Sequence, residues 1–124
     1  MTIQTGIDIL EISRIERSLK NKNFKTCVYG SNELEELEAK GFPAQSAAAA
    51  FAAKEAFGKT LGTGIKGFSL SDVEVLHKAN GSPYLFLSGN AKILAEESGL
   101  VFSVSISHSK GLAAAVVIGY SIEY

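Results

Sequence analysis

The chain lacks a cysteine pair, a basic excess, a long apolar run and any internal repeat or linker. Its one cysteine, Cys27, cannot close an internal disulfide, so a reducing, cytoplasmic setting fits. No histidine stands near Cys27 in sequence, which argues against a cysteine nucleophile. With one Cys and two His, His77 and His108, the ligand set for zinc is poor. Twelve basic residues face 13 acidic ones, a net charge of −1, so a broad nucleic-acid surface is not expected. No stretch approaches the roughly 18 apolar residues of a membrane span. Met1–Leu10 lacks the basic-then-apolar layout of a signal peptide. The full Walker pattern and the G-x-S-x-G nucleophile elbow are missing too, the latter disfavouring a Ser–His hydrolase built on Ser107 or Ser109.

What remains is 124 residues, 46% hydrophobic, enough for one domain, 1–124, with a real core. Thr2–Leu10 alternates, Ile3, Thr5, Ile7 and Ile9 on one face and Gln4, Gly6 and Asp8 on the other, and reads as a strand. Aspartate is depleted in strands. Asp8 is therefore either a solvent-facing residue of an edge strand or a carboxylate held rigidly for a metal ion.

Glu11–Lys20 has helical period, with Ile12, Ile15 and Leu19 as its stripe. Arg14, Arg17 and Lys20 lie off that stripe, as a solvated face or as a docking patch for an acidic partner. Lys20–Asn23 reads as a polar loop and Phe24–Tyr29 is ambiguous. Ser31 or Asn32 can cap an acid-rich helix over Glu33–Glu38 that Gly41 stops.

Ala44 starts a long alanine-rich helix. At about 100° per residue, Ala49, Ala53, Ala56, Phe57, Thr60 and Leu61 share a small, apolar side. Phe51, Glu55, Gly58, Lys59 and Gly62 share the other. Glu55–Lys59 can be an ordinary surface pair, worth a few tenths of a kcal/mol. It can also be an acid and a base flanked by glycines that leave room for a ligand. Gly62-Thr63-Gly64 closes the helix.

Asp72–His77 and Pro83–Leu87 read as strands joined through Asn80-Gly81, a strong hairpin signal. Ser88 caps a helix to about Glu97, closed by Gly99. Val101–Ser107 alternates with Phe102, Val104 and Ile106 inward; His108–Gly111 turns, and Leu112–Tyr120 returns. The order is strand, three helices, hairpin, helix, hairpin: an α+β fold with a mostly antiparallel sheet.

Hard divalent ions such as Mg²⁺ take oxygen ligands, often with only one or two protein carboxylates and with substrate phosphates completing the shell. Asp8 and Glu55 suit that role. Lys54, Lys59 and the free N–H groups of Gly62-Thr63-Gly64 add positive charge for a pyrophosphate.

Gly6–Ile15, Phe51–Phe57 with Lys59 and Gly62–Ile65, Asn80–Tyr84 and Val104–Ser109 occur in this order along the chain. In these segments the chain resembles the holo-acyl-carrier-protein synthase family of phosphopantetheinyl transferases, over almost its whole length. The resemblance implies that Asp8 and Glu55 hold Mg²⁺ with the pyrophosphate of coenzyme A, and that Lys54 and Lys59 neutralise its phosphates. It implies that Phe51, Gly58, Gly62, Thr63, Gly64 and Ile65 line the nucleotide, with Asn80, Gly81, Pro83 and Tyr84 contributing and His108 and Ser109 at the far edge. It implies that Arg14, and Arg17 one turn on, dock the acidic apo-acyl-carrier protein, in a homotrimer with active sites between subunits. The implied reaction moves phosphopantetheine to a serine of the carrier, releases adenosine 3′,5′-bisphosphate and supports fatty acid biosynthesis. The base is a water activated by a carboxylate at the metal, or His108. One departure is Ala50, where many family members carry an arginine that touches the nucleotide; another is Asn23, near a position that is often arginine. A Mg²⁺-dependent phosphate-ester hydrolase and a non-catalytic trimeric binding module are the competing readings.

Overall fold

The computed structural model describes residues 1–121. Strand β1 (Thr2–Glu11) pairs with β5 (Leu112–Ser121), which pairs along its other edge with β4 (Val101–Ser109). This sheet, in the order β1-β5-β4, is antiparallel throughout. Strands β2 (Val73–His77) and β3 (Pro83–Leu87) form a separate antiparallel hairpin. Helices α1 (Ile12–Ser18), α2 (Lys22–Val28), α3 (Ser31–Ala39) and α4 (Ala44–Leu61) all precede that hairpin, and α5 (Gly89–Ser98) follows it. The α+β class and the antiparallel pairing expected from the sequence are both present. Among the described residues, no helix is long and apolar enough to cross a membrane.

Helix α4 crosses the inner face of the three-stranded sheet. Ala47–Ala50, Ala52, Ala53 and Ala56 are all buried around it, and small side chains on the sheet side let the helix lie close to the strands. The tightest approach is at Gly6. A Cβ on that residue would stand 2.1 Å from the Ala56 carbonyl oxygen, so β1 meets α4 only because this position has no side chain. Phe57 fills the centre of the core, its ring 4.9 Å from Phe102 and 5.4 Å from Phe68. The helix ends on Gly62, at φ 82°, as its glycine signal predicted.

Several local expectations change. The polar loop and ambiguous stretch after α1 form α2, capped by the Asn21 side chain, which accepts the Asn23 N–H at 2.9 Å. Helix α3 takes Gly30 as its N-cap in place of Ser31 or Asn32; Glu33 swings back and accepts the Gly30 N–H at 3.1 Å. His108 and Ser109 continue β4, and the turn narrows to Lys110-Gly111. On β1, Gly6, Asp8 and Leu10 form the face toward α4, while Ile3, Ile7 and Ile9 face outward.

Candidate active site

Asp8 sits on the inner face of β1, opposite Ala115 of β5, where α4 passes over the strand. Lys59 reaches across from α4: its ammonium donates to the Ile7 carbonyl at 2.7 Å and to Asp8 Oδ1 at 3.2 Å. It therefore answers an acid on another element. Glu55, one turn back, joins the same group. Its carboxyl is held above the usual carboxylate range, first by burial and then by the charge of Asp8; Lys59 and Arg14 pull the other way. Two carboxylates, a lysine and an arginine thus gather at the crossing of β1, α4 and α1.

This donor set fits a hard divalent cation. Both candidate donors are carboxylate oxygens, and the Asp8 charge that holds the Glu55 proton in place is a burden a cation would relieve. Among the described residues, no group of three or more His, Cys, Asp or Glu lies close enough to build an all-protein cage. A pair suits an ion that keeps water and takes substrate oxygens.

The raised Glu55 carboxyl has a measurable consequence. The native state holds this proton at pH values where the unfolded chain has released it, so stability falls as pH rises through that window. Glu55→Gln is expected to raise the melting temperature of the metal-free protein by about 1–4 °C near neutral pH. The gain shrinks on acidification, as the wild-type carboxyl takes up its proton. Melting curves of both proteins across pH, with a chelator present, check this.

Lys54 does not join the cluster, contrary to the expectation that it neutralises phosphates. It is 0% exposed and turned the opposite way, its ammonium 2.7 Å from Glu33 Oε1 of α3 and bonded also to the carbonyls of Leu70 and Val73. Gly58 is not open to a ligand either. The loop after α4 folds back over it: Gly64 N–H donates to the Gly58 carbonyl at 3.0 Å, and a Cβ on Gly58 would lie 2.2 Å from the Gly64 carbonyl oxygen. Gly62, Thr63 and Ile65 stay exposed at the helix end, beside an open cleft of about 400 Å³ that Gln4, Lys59, Gly62 and Leu100 help to line. Phe51 is half-buried, its ring stacked on Phe24 at 6.1 Å.

The other expected nucleotide residues fall elsewhere on the chain. His108 lines a 260 Å³ cavity with Glu36, Lys40, Ala50 and His77. Within it, His77 Nδ1 lies 2.7 Å from Glu36 Oε1. Ser109 ends β4, exposed. Asn80, Gly81 and Pro83 shape the hairpin, where Asn80 Oδ1 accepts the Ser82 N–H at 3.0 Å. Tyr84 lines a groove with Asn32, Glu36 and Leu76. Arg14 and Arg17, both exposed on α1, border a shallow pocket with Ile9 and Leu112.

Sequence reasoning passed over Glu33 as the partner of Lys54. The signal was a glutamate three residues after Gly30, the spacing at which a side chain folds back on a helix start. It also passed over the Ile7 carbonyl, a backbone acceptor that no residue type announces.

Residues 4–117 match the family description of the 4′-phosphopantetheinyl transferase superfamily, and the chain belongs to that superfamily. It is 44% identical over 120 residues to the holo-[acyl-carrier-protein] synthase of Treponema denticola, covering 95% of this chain and 98% of the relative. The fold superposes on the crystal structure of holo-[acyl-carrier-protein] synthase from Neisseria meningitidis with a TM-score of 0.88, at 34% identity over 95% of this chain and 98% of that one. The Helicobacter pylori holo-[acyl-carrier-protein] synthase in complex with coenzyme A superposes with a TM-score of 0.81, at 33% identity over 94% of this chain and 99% of that one. Within the superfamily, the chain is an enzyme of the holo-[acyl-carrier-protein] synthase class.

Proposed function

We propose that this enzyme transfers 4′-phosphopantetheine from coenzyme A to a serine of an apo-acyl-carrier protein, with Mg²⁺ held between Asp8 and Glu55. The observation that carries the reading is the convergence of those two carboxylates with Lys59 where β1 crosses α4. The serine oxygen attacks the β-phosphorus of coenzyme A. The bond from that phosphorus to the bridging oxygen breaks, adenosine 3′,5′-bisphosphate leaves, and the serine proton passes to a base. Mg²⁺, when bound, neutralises charge on the pyrophosphate and on the departing oxygen. Asp8 and Glu55 fix where the pyrophosphate lies. Lys59, half-exposed and one turn from Glu55, places its ammonium against phosphate oxygens on which charge grows. Exposed Arg14 and Arg17 lie beside this cluster on α1 and suit an acidic carrier surface.

A homotrimer with sites between subunits belongs to the same proposal. Ile3, Ile7 and Ile9 of β1 are 60–65% exposed, and Leu112 and Ile118 of β5 share that outward sheet face. An apolar patch of this kind on a sheet marks an association surface. The hairpin and His108 stand apart from the Asp8–Glu55 cluster on one chain, which suits a nucleotide held jointly by two chains. Activity in the cytoplasm, in support of fatty acid biosynthesis, completes the reading.

Purified protein with Mg²⁺, coenzyme A and an apo-acyl-carrier protein is expected to add about 340 Da to the carrier, one phosphopantetheine in place of a proton. An intact-mass spectrum reads this directly. No gain on several competent carriers would overturn the proposal. Consumption of coenzyme A without a mass gain would point to a phosphate-ester hydrolase instead.

A further inference from the structure

Lys54 is the buried charge for which the proposed reaction has no use, yet it directly precedes Glu55 on α4. The surroundings of its ammonium are complete. Its three protons meet Glu33 Oε1, the Leu70 carbonyl and the Val73 carbonyl, which is all a lysine can donate. Glu33 in turn accepts the N–H groups of Gly30 at 3.1 Å and Val75 at 2.9 Å. A second carboxylate, Glu74, accepts the Glu33 N–H at 2.8 Å and the Asn32 side chain at 3.1 Å. One lysine thereby joins α4 to the start of α3, to the turn before β2 and to β2 itself.

Such a tie answers a problem posed by the rest of the helix. The buried side of α4 is mostly alanine. A row of identical methyl groups resists rotation little; on the sheet side that task falls to Phe57 in the core, to Thr60, which donates to the Val117 carbonyl at 3.3 Å, and to Lys59 on the Ile7 carbonyl. The contact of Gly6 with Ala56 sets how near the helix lies to β1, and on the flank toward α3 and β2 Lys54 ties α4 by hydrogen bonds. Buried ionic groups are best attested as devices that fix register. Successive helical residues diverge by about 100°, so anchoring Lys54 toward α3 and β2 sets the direction of Glu55.

The geometry points to the Lys54–Glu33 pair as a positioning device of the active site: it anchors the α3 and β2 flank of α4 and, with Phe57 on the sheet side, holds the rotation at which Glu55 presents its carboxylate to Asp8. Lys54 on this account touches neither coenzyme A nor the carrier. The inference rests on the proposed role of Asp8 and Glu55 in holding Mg²⁺.

The test neutralises both members of the pair, because Lys54→Met alone would leave Glu33 unpaired in the core; Glu74 keeps its hydrogen bonds from the Glu33 N–H and Asn32. In Lys54→Met/Glu33→Gln, the glutamine still accepts a backbone N–H. Near-UV circular dichroism confirms folding. Calorimetry then measures Mg²⁺ binding to the protein with coenzyme A present, beside steady-state kinetics. Expected are weakened Mg²⁺ binding and a kcat lowered about 10- to 100-fold, the scale of a catalytic group displaced by about 1 Å. KM for coenzyme A is expected to stay within about twofold of wild type. Glu33→Asp keeps both charges but sets the carboxylate one methylene back from the ammonium, and is expected to move the same quantities less far.

Unchanged Mg²⁺ binding and kcat in the folded double variant would overturn the inference, leaving the pair a purely structural tie. Lost coenzyme A affinity with Mg²⁺ binding intact would also overturn it, by making Lys54 a phosphate contact. Failure of the wild-type protein to modify any carrier would strike the functional reading instead, so the two failures are told apart.

Discussion

Asp8→Asn is expected to lower phosphopantetheine transfer by about 100- to 1,000-fold, the scale of losing one preorganised electrostatic contact in a transition state. The substitution keeps the size of the side chain and an oxygen that can still accept from Lys59. What it removes is the negative charge. The wild-type carboxylate is only 19% exposed, held on a strand that packs against α4 through Gly6, so the site has little freedom to rebuild itself around another ligand. A titration of activity against Mg²⁺ should need more metal at every level of rate, while circular dichroism and melting stay near wild type. A loss below about threefold would remove Asp8 from the chemistry.

The second large effect concerns the opposite face of the same strand. Ile7→Asp is expected to split the proposed trimer and to lower activity at least about tenfold, since each isoleucine buried on association contributes about 1.5–3 kcal/mol. Ile7 is 65% exposed in the single chain, so the substitution spares the core while placing a carboxylate on the apolar sheet face. Light scattering behind size-exclusion chromatography gives the mass of the assembly, and the transfer assay gives the rate. An intact, fully active assembly would move the subunit contact to another surface. Monomers with full activity would show that a site within one chain suffices.

The strands were legible because their patterns are local. Asn80-Gly81 marked the β2–β3 hairpin, and the alternation of Phe102, Val104 and Ile106 with serines marked β4. Helix α2 was not, since Lys22–Val28 buries a single residue, Val28, and so carries no period. On β1 alternation separated the two faces correctly but could not say which looks inward. The isoleucines, the more apolar set, are the outward ones, because the inner face is reserved for a close helix and for Asp8. At the site, residue type suggested Asp8, Glu55 and Lys59 as a group. It misled at Lys54: the Gly30–Glu33 spacing marks a helix start, but not that Glu33 also receives the ammonium of a lysine 21 positions on.

Helix α4 already stands near the lower limit of side-chain size along its buried side. At Ala47, Ala48, Ala52, Ala53 and Ala56, all 0% exposed, nearly every exchange would add atoms to a filled interior, and overpacking a close-fitted interior is itself destabilising. What looks like a repetitive, information-poor run carries its message in the atoms it omits.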